Sequence, residues 1–410
     1  MEAIAHLRQG LALLETLPET SERTQREVDI HIALAASLSA TKGHAAPEVG
    51  QTYRRAQHLC AHLADPSQLF AVLRGLWHYS NVRAELQMAH ERGEQLLILA
   101  QQECDASMLC SAHRALGSTL LSLGVVAEAQ THFAQGIAFY DPQQHRASAF
   151  RYGEDAGVIC HNYTAWTLWA LGYADQGRTQ MDEAVTVAQH VAHPNSLSFA
   201  LVSAAMFHQY RREACGTQER VEAAISLAKA QGSAPWMAHG AILRGWALAH
   251  QGQAQEGIEQ LQQGVIAYSA TGAELFRPYW LALLAEAQGT IGEPETGLIV
   301  LTEALTVVDK TGVRWYESEL YRLQGALLLQ QNSDNQADAE TCFTQAITIA
   351  QNQQAKSWEL RASTSLARLW QQQGKRQEAH DLLAPVYGWF TEGFDTADLQ
   401  DAKALLEALV

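Results

Sequence analysis

Apolar runs recur along the chain, and each stops at a glycine or at a residue standing in for one. The stops fall at Gly43, Ala84, Gly124, Gly172, Arg212, Gly252, Gly292, Asn332 and Gly374, at intervals of 41, 40, 48, 40, 40, 40, 40 and 42 residues. A fixed period near forty is the mark of stacked supersecondary units. Each period has room for two helices. "GWALAHQG" (Gly245–Gly252) closes a first helix, and "EGIEQLQQGVIAYSATG" (Glu256–Gly272) forms a second.

Small residues keep a register with the stops. Gly117, Ala165, Ala205, Gly245, Ala285, Gly325 and Ala367 come seven before one, and Ala129, Gly177, Gly257, Gly297 and Ala379 five after. Phe133, Met181, Val221, Leu261, Leu301 and Leu383 follow four further on. Small side chains let two antiparallel helices approach, and the large one fills the groove between hairpins. Gly232, Gly272 and Gly312 close three successive second helices, where a left-handed residue is needed. Pro47, Pro66, Pro142, Pro194, Pro235 and Pro294 suit helix starts. Pro278 and Pro385 are expected inside helices, with local kinks.

The pattern resembles the tetratricopeptide repeat (TPR), and "ALGSTLLSLGVVAEAQTHFAQGI" (Ala115–Ile137) is the nearest match. A narrower resemblance rests on "ATKGHAAPEVGQTYRRAQHLC" (Ala40–Cys60), "YDPQQHRASAFRYGEDAGV" (Tyr140–Val158), "ILRGWALAHQG" (Ile242–Gly252), "VDKTGVRWYESELYRLQGALLL" (Val308–Leu329) and the segment Ala355–Leu409. These are similar to the C-terminal helical region of large bacterial proteins that join a class III adenylate/guanylate cyclase, or a protein kinase, to an AAA-type signalling ATPase. The resemblance implies an all-α, right-handed TPR-like solenoid of about nine hairpins. It also implies a role in regulating attached catalytic modules.

Domain boundaries follow from the repeat. Residues 1–410 are expected to form one superhelix. Residues 1–18 read as a second helix without its first, as if cut from a longer chain; 141–157 form an irregular connector; 395–410 form a capping helix. Contacts in such an array are expected between neighbouring units only.

Composition narrows the function. With 47% apolar and 18% charged residues the chain can bury a core, and a net charge of −16 disfavours nucleic acid and anionic membranes. No run is long enough to span a bilayer, and no basic-then-apolar leader is present. Six scattered cysteines lack the paired spacing of a zinc ribbon or disulfide framework. A cytoplasmic location is expected. No G-x-x-x-x-G-K-[ST] loop or kinase signature occurs, so neither catalysis nor a cofactor is expected. His58 and His62 share a helix face, but no further ligand accompanies them, and no metal site is expected.

Counting from the small residues places Arg74, His78, Asn81, Arg114, Asn162, Trp166, Trp169, Phe199, Gln209, His239, Trp246, Tyr279, Glu286 and Arg322 on the concave face. Aromatic platforms with few polar groups suit peptide or sugar binding, and arginine suits carboxylates. The competing reading is that the tryptophans pack between helices. The 48-residue interval adds a polar, aromatic connector with His145, Arg146, Arg151 and Tyr152 as candidates. Its neighbours Glu154 and Asp155 are expected in solvent. The function expected is a non-catalytic sensor or scaffold. Its partner is a protein or peptide, including upstream domains of a parent chain, or a small effector. The alternative is a small-molecule, sugar-like receptor.

Overall fold

The computed structural model describes residues 2–61, 63, 65–143, 149–150 and 152–409. Among them it holds twenty α-helices and no strand. Nine first helices precede the nine stops. They run Ser21–Lys42, Pro66–Val82, Ala106–Ser122, Ala156–Ala170, Pro194–Tyr210, Ala234–His250, Arg277–Thr290, Glu317–Gln331 and Lys356–Gln372. A second helix follows each, Glu2–Glu15 precedes the first, and Ala397–Leu409 ends the chain. This is a TPR-like α-solenoid.

Eight of the nine stops have a positive φ, including Ala84 at φ 57 and Arg212 at φ 64. Asn332 departs from the expectation. It is extended, at φ −154, and the Asn335 side chain caps the Leu328 carbonyl instead. Gly232, Gly272 and Gly312 end their helices left-handed as expected. Pro278 does not kink a helix: it occupies the second residue of Arg277–Thr290, where its missing N–H costs nothing. Pro385 does lie inside its helix, Arg376–Tyr387.

The small-residue register works as a close-packing device. A methyl on Gly245 would sit 2.5 Å from the Gly257 carbonyl oxygen, and one on Gly117 would strike the Phe133 ring at 2.7 Å. Ala129, Ala165, Ala205, Ala285, Ala367 and Ala379 are fully buried, as are Phe133, Val221, Leu261, Leu301 and Leu383.

Neighbour-only contact fails. The solenoid winds tightly enough for successive turns to touch. Glu274 and Leu275 donate their N–H groups to the Val82 carbonyl at 2.9 and 3.2 Å, and Arg314 donates to the Ser122 carbonyl at 2.8 Å. These bonds span 192 or 193 residues, just under five repeats. Ser357 Oγ donates to the Trp169 carbonyl across 188 residues. An open concave face would leave the inward aromatic rings in water, so winding up removes that apolar surface. The C-terminal segment closes the last turn. Glu392 accepts the N–H groups of Asp175 and Gln176, and Arg361 bonds both Asp398 and the Tyr210 carbonyl.

Candidate functional site

The lumen left by this winding has a filled part and a hollow part. Trp169, Tyr210, Tyr279, Tyr316 and Trp358 form the filled part, with Trp169 against Trp358 at 4.6 Å and Tyr279 against Tyr316 at 4.8 Å between ring centroids. The space remaining there is about 20 Å³.

The hollow part is built around Glu154. The eight extra residues carry the chain through Tyr152 and Gly153, and Asp155 then caps the helix Ala156–Ala170 by accepting from the Val158 N–H. Asn195 Nδ2 donates to the Gly153 carbonyl at 2.7 Å, and Ser196 Oγ accepts from the Asp155 N–H at 2.8 Å. So anchored, Glu154 points inward at 4% exposure, not into solvent as the sequence suggested. Arg74 Nη2 lies 2.6 Å from Oε1, Arg114 Nη2 donates to Oε2 at 3.0 Å, and His78 Nδ1 lies 3.2 Å from Oε1. Each guanidinium also covers a ring: Arg74 over Tyr152 at 4.7 Å and Arg114 over Trp77 at 4.5 Å. Such contacts offset part of the desolvation of buried ions.

The electrostatics follow from the enclosure. Burial opposes ionisation of Glu154, but Arg114, His78 and Arg74 outweigh it and hold the carboxyl well below the usual range. Burial drives the His44 imidazole well below its ordinary value, with His78 and the two arginines adding to the effect. His78 is lowered too, again chiefly by burial. The two rings stack at 3.7 Å.

Beside this cluster lies a cavity of about 120 Å³. Ser39, Ala40, Gly43, His44, Ala45, Asn81 and Val82 wall it from one turn, and Pro235, Trp236, Thr271, Leu275 and Phe276 from the next. Trp166, Phe199, Ser203 and His239 add to the lining, and His78, Arg114 and Glu154 reach it from the cluster. Ser203 Oγ and His239 Nδ1 are buried with no hydrogen-bond partner among the described residues.

Six of the concave-face candidates meet here: His78, Asn81, Arg114, Trp166, Phe199 and His239. Arg74 lies behind them, bonded to Glu154. The others lie elsewhere. Asn162 bonds the Val158 carbonyl within its own helix, Trp169 is in the aromatic plug, and Gln209 accepts from Tyr279 Oη at 2.8 Å. Trp246 donates to Glu286 at 2.8 Å, and Arg322 pairs with Glu319. Tyr152 of the connector packs on Arg74, while His145, Arg146 and Arg151 lie outside the described residues. His44, Asn195, Trp236 and Glu154 were not among the sequence candidates. The eight-residue excess was the one signal pointing towards Glu154.

Other features are chemically quieter. A polar hollow of about 160 Å³ near the C-terminus is lined by Arg212, Arg322, Arg361 and Arg368 facing Glu286, Glu319, Asp398 and Asp401. Four positive side chains there face four negative ones. Among the described residues no group of three or more His, Cys, Asp or Glu could hold a metal, and no helix is long and apolar enough to cross a membrane. His62 lies outside the described residues.

No family model matches the chain, and no curated protein matches it in sequence. Solved structures share its fold. A Rap protein complexed with competence and sporulation factor aligns at TM-score 0.60 and 9% identity, covering 94% of this chain and 100% of that one. The apo form of the quorum sensor NprR from B. thuringiensis aligns at TM-score 0.51 and 11% identity, covering 90% and 99%. A signal-transduction ATPase with a tetratricopeptide repeat sensor, from Pyrococcus horikoshii, aligns at TM-score 0.40 and 12% identity, covering 88% and 55%. The first two define the class: a TPR-like helical repeat protein.

Proposed function

We propose that the chain is a non-catalytic sensor or scaffold region that takes a protein segment or small effector into the inter-turn cavity. Residues 1–410 act as one superhelix, and occupancy biases an attached ATPase together with a cyclase or kinase. The carrying observation is that the cavity is walled by two successive turns of the solenoid. A ligand there touches both turns only when they are wound together. It therefore favours the wound form by its differential contacts, which is what coupling requires. Two proteins of the same fold support signal reception as the role, one complexed with a factor and one a quorum sensor. The link to ATPase and cyclase or kinase modules rests on the sequence resemblance.

A small-effector reading is favoured over a long peptide by the cavity's size, about 120 Å³. Screening metabolites and short peptides by thermal shift on the whole chain tests the reading. Saturable stabilisation that disappears in Trp236→Ala and His239→Leu supports it. Stabilisation that survives both substitutions sinks the assignment of the cavity.

A further inference from the structure

We propose that the occupant of this cavity carries a carboxylate at one end and an aromatic or branched apolar group at the other. The carboxylate lodges against Arg114 beside the His44–His78 stack. The inference rests on the sensor reading above and adds the chemistry of the ligand.

Charge drives the assignment. Two guanidinium groups, Arg74 and Arg114, share one carboxylate, Glu154, and all three side chains are at most 4% exposed. The neighbouring histidines and tyrosines add no negative charge. His44, His78 and His193 are disfavoured as cations by burial, and the Tyr53 and Tyr163 phenols are pushed up to about 12. Asp155 is turned away to cap its helix. One buried positive charge is left without a directly paired counter-ion among the described residues, and such a charge is costly in a low-dielectric site.

Geometry says where the missing anion goes. Arg114 lines the cavity, and its Nε has no hydrogen-bond partner among the described residues. Its Nη1 lies 2.9 Å from Glu154 Oε1 without satisfying hydrogen-bond geometry. The guanidinium fork therefore has donor capacity to spare, and planar carboxylates suit that fork. Asn81 and the unpartnered Ser203 hydroxyl supply polar contacts at the cavity wall. Trp166, Phe199, Trp236, Leu275 and Phe276 furnish an apolar chamber for the remainder of the ligand.

Alternatives fit less well. A cation adds to the excess charge, and a neutral polyol leaves it uncompensated among aromatic walls. A phosphate brings close to two negative charges and three acceptor oxygens, more than one spare guanidinium charge matches. The carboxylate can belong to a free organic acid or to the C-terminus of a peptide.

The test uses matched probes on the whole chain. 3-Phenylpropionate and indole-3-acetate are titrated against their neutral amides, and Gly-Gly-Phe against its C-terminal amide, with tryptophan fluorescence and thermal shift as readouts. The acids are expected to bind saturably and at least tenfold more tightly than the amides. Binding by the free acids identifies a small metabolite as the source. Binding by the peptide acid alone identifies a chain end. Arg114→Gln should erase the acid preference. Asn81→Asp, which adds a like charge at the wall without touching the ion cluster, should weaken the acids and spare the amides, so the claim stays testable if Arg114→Gln does not fold. Equal affinity for acids and amides overturns the carboxylate assignment while leaving the cavity as a binding site. No response to any acid, while the library screen yields a cavity ligand, overturns it as well.

Discussion

The aromatic plug and the charged cavity occupy equivalent places in one lumen. Both are built from the inward faces of first helices, and both are closed by the turn that follows. At the plug, Trp169 and Tyr210 meet Tyr279, Tyr316 and Trp358, and rings fill the space. At the cavity, Arg74, His78 and Arg114 meet a carboxylate delivered by an insertion, and the opposing wall stands back. An inward position is thus neither packing nor binding by itself. What faces it from the next turn, about 190 residues away, decides.

The largest expected effect comes from breaking the ion cluster. Glu154→Gln leaves two buried guanidinium groups facing a neutral amide and should cost about 3–5 kcal/mol in urea unfolding. Replacing Arg74, Arg114 and Glu154 together by methionine should cost far less, since no unpaired charge remains. A loss below about 1 kcal/mol for Glu154→Gln would contradict the burial of the cluster.

Tryptophan truncation sharpens the contrast directly. Trp358→Ala in the plug, at 2% exposure, should lose about 3–5 kcal/mol. Trp236→Ala, half-buried at the cavity wall, should lose roughly 1 kcal/mol or less and abolish ligand response. Equal losses at the two sites would erase the distinction.

Acid should loosen the cavity before the plug. Burial lowers His44 and His78, and takes His239 to about 4. The unfolded chain takes up these protons near pH 6.5 while the folded chain resists, so the unfolded state binds more protons in this window. Stability is therefore lost as pH falls from about 6.5 towards 4, with His239 alone contributing on the order of 3 kcal/mol. The plug offers only phenols raised by burial, which stay neutral throughout. His239→Leu should flatten the acid limb of a stability–pH curve, and an unchanged limb would contradict the shift.

The smallest effect lies on the plug side. Gln354 is exposed and left-handed at φ 57, next to Gln353, which bonds the Arg314 carbonyl at 2.8 Å. Gln354→Gly should raise stability by roughly 0.5–1 kcal/mol in denaturant titration, with ligand affinity unchanged.

The local design was readable in the sequence because it is local. Gly245 and Gly257 lie twelve positions apart, and their contact repeats with the period, so spacing alone exposed it. Junction conformation was readable for the same reason, except at Asn332, where a side-chain cap replaces the left-handed turn. The cavity was half legible. His78, Asn81 and Arg114 lie on inward faces that counting can find. Trp236 and Leu275 reach the same space only because turns close on one another, and winding pitch leaves no periodic trace. Glu154 was misjudged as solvated because its partners lie 80 and 40 residues upstream.

Closure between turns is the central claim, and amide hydrogen exchange tests it most directly. The N–H groups of Glu274, Leu275 and Arg314 lie in loops, yet each donates to a carbonyl on the preceding turn. They should exchange as slowly as core helical amides, and Glu274 and Leu275 should slow further when the cavity is occupied. Exchange at the rate of open surface loops, with or without ligand, would mean that the turns do not touch and that no cavity is enclosed between them.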